Sequence, residues 1–373
     1  MVTSAPVAAD PALRPVEAAE IAEYAQLFDR PLLELGAKAD EARRGASGND
    51  SVTYIVDRNI NYTNVCVTDC KFCAFYRRPN HAEGYVLSFE EVGAKVEEAK
   101  AAGAVQILMQ GGHNPYLKLD YYTGLLEYIK QHHPIHVHGF SASELEIIAR
   151  VHKLPISEVI SVLHAAGLDS VPGAGAEILV DSVRRDIAKK KTDTAGWLDI
   201  HRQVHEQGLL SSATMMFGAG ESREDRIEHM LRIRDLQAET GGFTAFISWT
   251  LQADGTEMEG MPETTALEYL KTVAISRLVI DNIENFQVSY VTQGPKIGQI
   301  ALRFGCNDFG SLMMEENVVS AAGTDFIMPE TDMLRLIRDA GFTPVARYQD
   351  YSPVDPSLDW YCGCRVCLDR RVA

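Results

Sequence analysis

Short apolar runs alternate with longer amphipathic stretches through most of the chain. Runs at 52–56 with 59–66, 105–109, 135–140, 168–171, 211–216, 243–249, 286–291 and 301–304 read as strands. Apolar positions at helical spacing mark 89–102, 119–132, 156–166, 177–188, 196–207, 222–239 and 263–280 as helices between them. Counting 52–66 as one unit gives eight strands. Strand and helix alternating at this rhythm predict an α/β fold, a (β/α)8 barrel of the TIM type. The barrel is expected over 47–345. It is preceded by a helical extension in 1–46, where Leu27, Leu32, Leu33 and Leu35 come before a charged stretch, and followed by a cysteine-containing tail in 346–373.

Active sites of such barrels lie beyond the carboxyl ends of the strands. Polar and glycine-rich residues cluster at those places, as in Gln110-Gly111-Gly112-His113, Ser141-Ala142-Ser143-Glu144, Gly173-Ala174-Gly175-Ala176-Glu177 and Gly305-Cys306-Asn307-Asp308. Loops are rich in Gly and Asn anyway. That accounts for some of the clustering but not for the repeated carboxylate or amide just after the strand.

Composition narrows the classes. The chain has 373 residues, 46% hydrophobic and 23% charged, with a net charge of −17. This is globular composition without the basic footprint of a nucleic-acid binder. No apolar run is long enough for a membrane span. The alanine-rich start has no basic region followed by an apolar one, so no signal peptide is expected. Seven cysteines, six of them in two clusters, suit a reducing compartment, and a cytoplasmic location is expected.

The first cluster carries the chemistry. Cys66, Cys70 and Cys73 stand at C-x3-C-x2-C spacing directly after the first strand unit. Zinc sites usually pair C-x2-C with a second pair downstream, and redox thiols favour a lone C-x-x-C. Three local thiolates suit a [4Fe–4S] cluster with one iron left open. The second cluster, Cys362, Cys364 and Cys367, is open between an auxiliary metal site, with Cys306 as a candidate further ligand, and a redox-sensitive tail.

The run Asp57-Arg58-Asn59-Ile60-Asn61-Tyr62-Thr63-Asn64-Val65-Cys66, continuing to Cys73-Ala74-Phe75-Tyr76-Arg77, resembles the radical S-adenosylmethionine (SAM) enzymes of menaquinone and deazaflavin biosynthesis. Val291-Thr292-Gln293-Gly294-Pro295-Lys296 and Met313-Met314-Glu315-Glu316-Asn317 make the chain most similar to the cyclic dehypoxanthine futalosine synthases. The resemblance covers about residues 20–345. It implies an oxidoreductase that uses a [4Fe–4S] cluster and SAM to generate a 5′-deoxyadenosyl radical. The radical removes the ribose C4′ hydrogen of dehypoxanthine futalosine, and the carbon radical closes onto the benzoate ring. An electron donor such as flavodoxin or ferredoxin is implied as partner. Aminofutalosine synthases and the deazaflavin (F420) precursor synthases share the opening motif and are the alternative within the group. A non-enzymatic iron–sulfur or zinc protein is the alternative outside it.

The resemblance also assigns roles. Cys66, Cys70 and Cys73 are cluster ligands. Phe72 matches an aromatic position beside the SAM adenine, and Gly111-Gly112 match the Gly-Gly turn at the SAM amino group. In most relatives a Glu follows this turn; here it is His113. Ser141, Glu177 and Thr214 are further cofactor candidates, with helix capping as the other reading of Glu177. His113, Glu144 and Asp308 are candidates for the base that restores aromaticity. Arg77 and Arg303 are candidates for the substrate carboxylate, each with a structural ion pair as the ordinary alternative.

Overall fold

The computed structural model describes residues 15–48, 50–315, 317–323 and 328–355. The expectations for Cys362, Cys364 and Cys367 lie outside the described residues. Ten strands form one sheet. They are β1 (Ser51–Ile55), β2 (Asp57–Ile60), β3 (Gln106–Met109), β4 (His136–Gly139), β5 (Ser170–Val171), β6 (Leu210–Phe217), β7 (Phe243–Thr250), β8 (Asn285–Gln287), β9 (Asp308–Ser311) and β10 (Thr343–Ala346). Every pairing is parallel.

Only Val56 separates β1 from β2. β1 pairs with β9 and β2 pairs with β3, so this broken strand joins the two ends of the sheet. The eight strand positions of a TIM-type barrel result. β10 is added beside β1, with Ser51 opposite Thr343, before β3 takes over along β2. The break at Val56 is where the neighbour changes: Val56 O accepts from Val105 N at 3.0 Å, and Ile55 O from Leu312 N at 3.0 Å.

Helices pack outside the sheet, and their starts are written locally. Ser88 with Glu91, Ser141 with Glu144 and Ser222 with Asp225 form reciprocal capping boxes, each satisfying two otherwise orphaned amides. Two expectations need correction. Residues 301–304 are not a strand; they end the helix Tyr290–Ala301 and the turn after it, and the eighth barrel position is β9. Gly294 (φ 76°) and Pro295 kink this helix internally, which gave its sequence the look of a loop. The helix Ala142–His152 follows β4 directly, where only a polar loop was expected. β10 straddles the expected boundary at residue 345, and its pairing with β1 ties the segment after 345 to the barrel.

Candidate active site

A cavity of about 380 Å³ runs from the cysteine loop into the barrel. Cys66, Cys70 and Cys73 line one wall; none forms a disulfide. Their loop is closed at its base, where Cys66 N donates to Arg77 O at 2.9 Å and Arg77 N to Asn64 O at 2.8 Å. Cys73 N donates to Cys70 O at 3.2 Å, and Thr68 N to the Cys66 sulfur at 3.4 Å. Burial pushes the Cys70 thiol up to about 12 and raises that of Cys73. Bare thiols here stay protonated, whereas metal ligation would favour the thiolates. Among the described residues no three His, Cys, Asp or Glu gather closely enough for a single ion. The donor set is three free thiols lining one cavity, and thiolates are the ligands that iron–sulfur clusters take.

The turn after β3 is built against this loop. A Cβ on Gly111 would sit 2.5 Å from the Tyr62 ring, and one on Gly112 would overlap the Val65 carbonyl oxygen. Only glycine lets the two backbones approach so closely. Glu144 secures the arrangement. Its Oε1 accepts from Tyr62 Oη and Gly111 N, both at 2.8 Å, and its Oε2 from Ser141 N (2.8 Å) and Ser141 Oγ (2.7 Å). Burial raises the Glu144 carboxyl while these four donors pull it down. A carboxylate held by four donors, two of them backbone amides, is a brace for the turn rather than a free base. His113 lines the cavity, but its Nδ1 contacts Thr68 Oγ1 and its carbonyl accepts from Val67 N at 3.1 Å. Burial pushes its imidazole down to about 3, leaving it neutral and weakly basic.

Glu177, which also lines the cavity, is buried with φ 43° and accepts from Lys191 Nζ at 2.5 Å. Lys191 Nζ also lies 5.3 Å from the Phe72 ring centroid. Thr214 donates to Gly173 O at 2.7 Å. Phe72, Gly111, Gly112, His113, Ser141, Glu144, Glu177 and Thr214 thus share one cavity with the thiols.

Three expected residues do not line it. Arg77 donates Nε to Glu83 (2.6 Å) and Nη1 to the carbonyls of Ala74, Phe75 and Tyr76, so its guanidinium is spent on the end of the cysteine loop. Arg303 is half-exposed at the barrel exterior, donating to Ala340 O at 2.5 Å and stacking on Phe342. Asp308 is fully buried and held bidentately by Arg347, at 2.5 and 3.2 Å, with Thr53 Oγ1 at 2.6 Å. Cys306 is likewise buried in the core.

The deep end holds polar residues that sequence reasoning missed: Asp57, Gln106, Arg347, Gln349 and Tyr351. Asp57 accepts from Ser311 Oγ and from Gln106 Nε2 at 2.8 Å, and burial raises its carboxyl above the usual range. Gln106 Oε1 and Tyr351 Oη are buried without a hydrogen-bond partner among the described residues. A signal existed only for Asp57, which opens the motif that carries the resemblance. Gln106 opens β3, and Arg347, Gln349 and Tyr351 arrive on the segment after β10.

Residues 60–233 match the model of the radical SAM superfamily, and residues 240–359 match that of the CofH/MqnC C-terminal region. The chain is 48% identical over 319 residues to the cyclic dehypoxanthine futalosine synthase of Halalkalibacterium halodurans, covering 85% of this chain and 86% of that one. It is 42% identical over 339 residues to the synthase of Streptomyces coelicolor, covering 89% and 85%. It is also 42% identical over 340 residues to a 5-amino-6-(D-ribitylamino)uracil–L-tyrosine 4-hydroxyphenyl transferase of Methanosarcina acetivorans, covering 88% and 89%. Among solved structures, methylornithine synthase (PylB) superposes with a TM-score of 0.68 at 19% identity, covering 87% of this chain and 93% of that one. HydG, a maturase of the [FeFe]-hydrogenase, gives 0.67 at 15% identity, covering 88% and 76%. At these identities the likeness is one of fold.

Proposed function

The chain belongs to the radical SAM family that contains the cyclic dehypoxanthine futalosine synthases, and on that premise we propose that it cyclises dehypoxanthine futalosine in menaquinone biosynthesis. The observation that carries the reading is the cavity with three unpaired thiols on its wall, in a chain 48% identical to such a synthase. Cys66, Cys70 and Cys73 would hold a [4Fe–4S] cluster that, with SAM bound, supplies a carbon radical able to take hydrogen from the substrate. Phe72 offers a flat apolar surface beside the thiols. The Gly111-Gly112 turn, Ser141, Glu177 and Thr214 frame the rim at which SAM is held, with Glu144 bracing the turn from behind. Ring closure leaves a ring radical that must lose one electron, which would return to the cluster held by the three thiolates, and one proton. Asp57 is the cavity carboxylate whose burial raises it towards the range of a useful base, and we assign it that role in place of His113, Glu144 and Asp308. Among the described residues no helix is long and apolar enough to cross a membrane.

The test is an anaerobic incubation of reconstituted, reduced protein with SAM and dehypoxanthine futalosine, followed by mass spectrometry. Product lighter by two hydrogens, with matching 5′-deoxyadenosine, is expected. Deoxyadenosine without change in the substrate would overturn the substrate assignment. The second reading, joining tyrosine to the ribitylaminouracil, is favoured by the equal 42% identity to the M. acetivorans transferase and the S. coelicolor synthase. The same assay with those two substrates decides it.

A further inference from the structure

We propose that a cationic patch on the outer side of the cysteine loop is the docking surface for an acidic one-electron carrier protein of the flavodoxin or ferredoxin class. The proposal rests on the radical SAM reading, which needs one electron delivered from outside: the carrier is oxidised by one electron and the cluster is reduced by one.

The segment 187–191 lies directly across the cysteine loop. Lys71 N donates to Ile187 O at 2.9 Å, and Cys70 packs in one apolar cluster with Ile187 and Ala188. This segment continues into Lys189, Lys190 and Lys191. Lys190 Nζ sits 2.7 Å from Asp69 in the loop, and Arg78 approaches the same carboxylate at 3.4 Å. A second cleft, of about 420 Å³, is lined by Arg150 and the three lysines together with Val67 and Thr68, which lie between Cys66 and Cys70. Glu146 is the acidic residue lining that cleft. Arg150 and Lys189 are exposed and make no ion pair among the described residues. The thiol loop therefore has two sides: the reaction cavity within, and a basic cleft without.

The chain as a whole carries −17. An acidic carrier is repelled by the net charge of such a chain and drawn to a cleft where basic residues outnumber acidic ones. That cleft is lined by Val67 and Thr68 of the cysteine loop itself, so a partner seated there is close to the thiols. Complementary charge of this kind orients a transient partner and speeds its arrival, and it is screened by salt.

The test uses the full-length protein and an oxidised, acidic bacterial flavodoxin. Binding is measured by titration calorimetry as salt rises from about 50 to about 300 mM, a range over which the screening length shortens markedly. Carbodiimide cross-links are mapped by mass spectrometry. We expect affinity to fall at least tenfold over that range and at least tenfold in Arg150→Glu/Lys189→Glu. Cross-links should fall on Lys71, Lys189 and Lys190. Lys38→Glu/Arg335→Glu, which alters exposed charges on two other helices, should bind like the parent. Flavodoxin-driven SAM cleavage should fall at least tenfold in the first variant while dithionite-driven cleavage holds. Cross-links elsewhere, or equal binding by both variants, overturns the surface even when dithionite-driven cyclisation is normal. Salt-sensitive binding mapped to these lysines in a protein that never cleaves SAM keeps the surface and sinks the radical SAM reading.

Discussion

Asp308 is a candidate base by residue type alone, but the structure spends it on Arg347, and this has a measurable consequence. The two side chains are almost fully buried, joined at 2.5 and 3.2 Å, and the guanidinium lies 3.9 Å from the Tyr351 ring centroid. Arg347→Met removes the cation and leaves a buried carboxylate. Breaking such a pair from one side costs about 3–5 kcal/mol. Asp308 keeps Thr53 Oγ1 at 2.6 Å and Gly310 N at 2.8 Å, which places the expectation near the lower end. Unfolding entropy of ~2.1 cal/mol/K per residue over this chain is roughly 0.8 kcal/mol/K, so the midpoint should drop by about 4 °C. Asp308→Asn combined with Arg347→Met should recover much of the loss, because no unpaired charge remains. The assay is thermal unfolding of all three variants by circular dichroism under anaerobic conditions. A shift within ~1 °C for Arg347→Met, or strictly additive single losses, would refute the buried-pair argument. An Asp308→Asn protein of parental stability but without activity would restore Asp308 to the chemistry.

Three further outcomes follow from the same geometry. Asp57→Asn should lower cyclised product roughly 100-fold or more, the scale of lost general-base catalysis, while 5′-deoxyadenosine still forms; equal loss of both by mass spectrometry would remove Asp57 as the proton acceptor. Gly112→Ala should cost about 1–3 kcal/mol as overpacking and lower iron bound per chain on reconstitution, since the obstacle is the Val65 backbone beside Cys66; unchanged iron content and midpoint would show that the loop yields. Stability should fall as pH drops from about 6.5. Burial holds His113 and His229 at about 3 and His205 at about 4, and also depresses His136, His138 and His201. The unfolded chain therefore binds more protons across that window, and the stability present above it is lost towards pH 4. The raised carboxyls Asp57 and Glu144 oppose this but are fewer. A urea midpoint that holds or rises between pH 7 and 4.5 would contradict it.

What was legible in the sequence is what the chain writes locally. The cysteine triplet, the Gly-Gly turn and the order of strands and helices each depend on residues a few positions apart. Glu144 shows how far local logic reaches. At the third helical position after Ser141 it is a capping residue by spacing alone, and the structure has the same carboxylate bind Tyr62 and the Gly111 amide as well. β9 was illegible because Asp308–Ser311 is short and contains a glycine, while the preceding helix is interrupted by Gly294-Pro295. The floor of the cavity was illegible for a different reason: Asp57 meets Ser311, and Asp308 meets Thr53, across more than 250 residues of sequence.

The misassigned arginines point to how the cavity selects its substrate. Arg77 and Arg303 were chosen because a substrate carboxylate wants a cation, yet both are committed elsewhere. The cations that do line the cavity are Lys191 and Arg347, and each is already paired, with Glu177 and Asp308. A bound carboxylate would also face Asp57 across the same floor. Net attraction by charge is therefore small, and recognition must come from directed hydrogen bonds. The unpartnered Gln106 Oε1 and Tyr351 Oη supply one acceptor and one donor at the deep end. A hydroxyl can donate to the first or accept from the second, whereas a carboxylate can only accept. The floor thus discriminates in favour of hydroxyl-bearing ligands, and a Gln106→Leu/Tyr351→Phe protein should lose affinity for a polyhydroxyl substrate more than for a deoxygenated analogue, measured by isothermal titration. Equal losses for the two ligands would mean that the floor does not read hydroxyls.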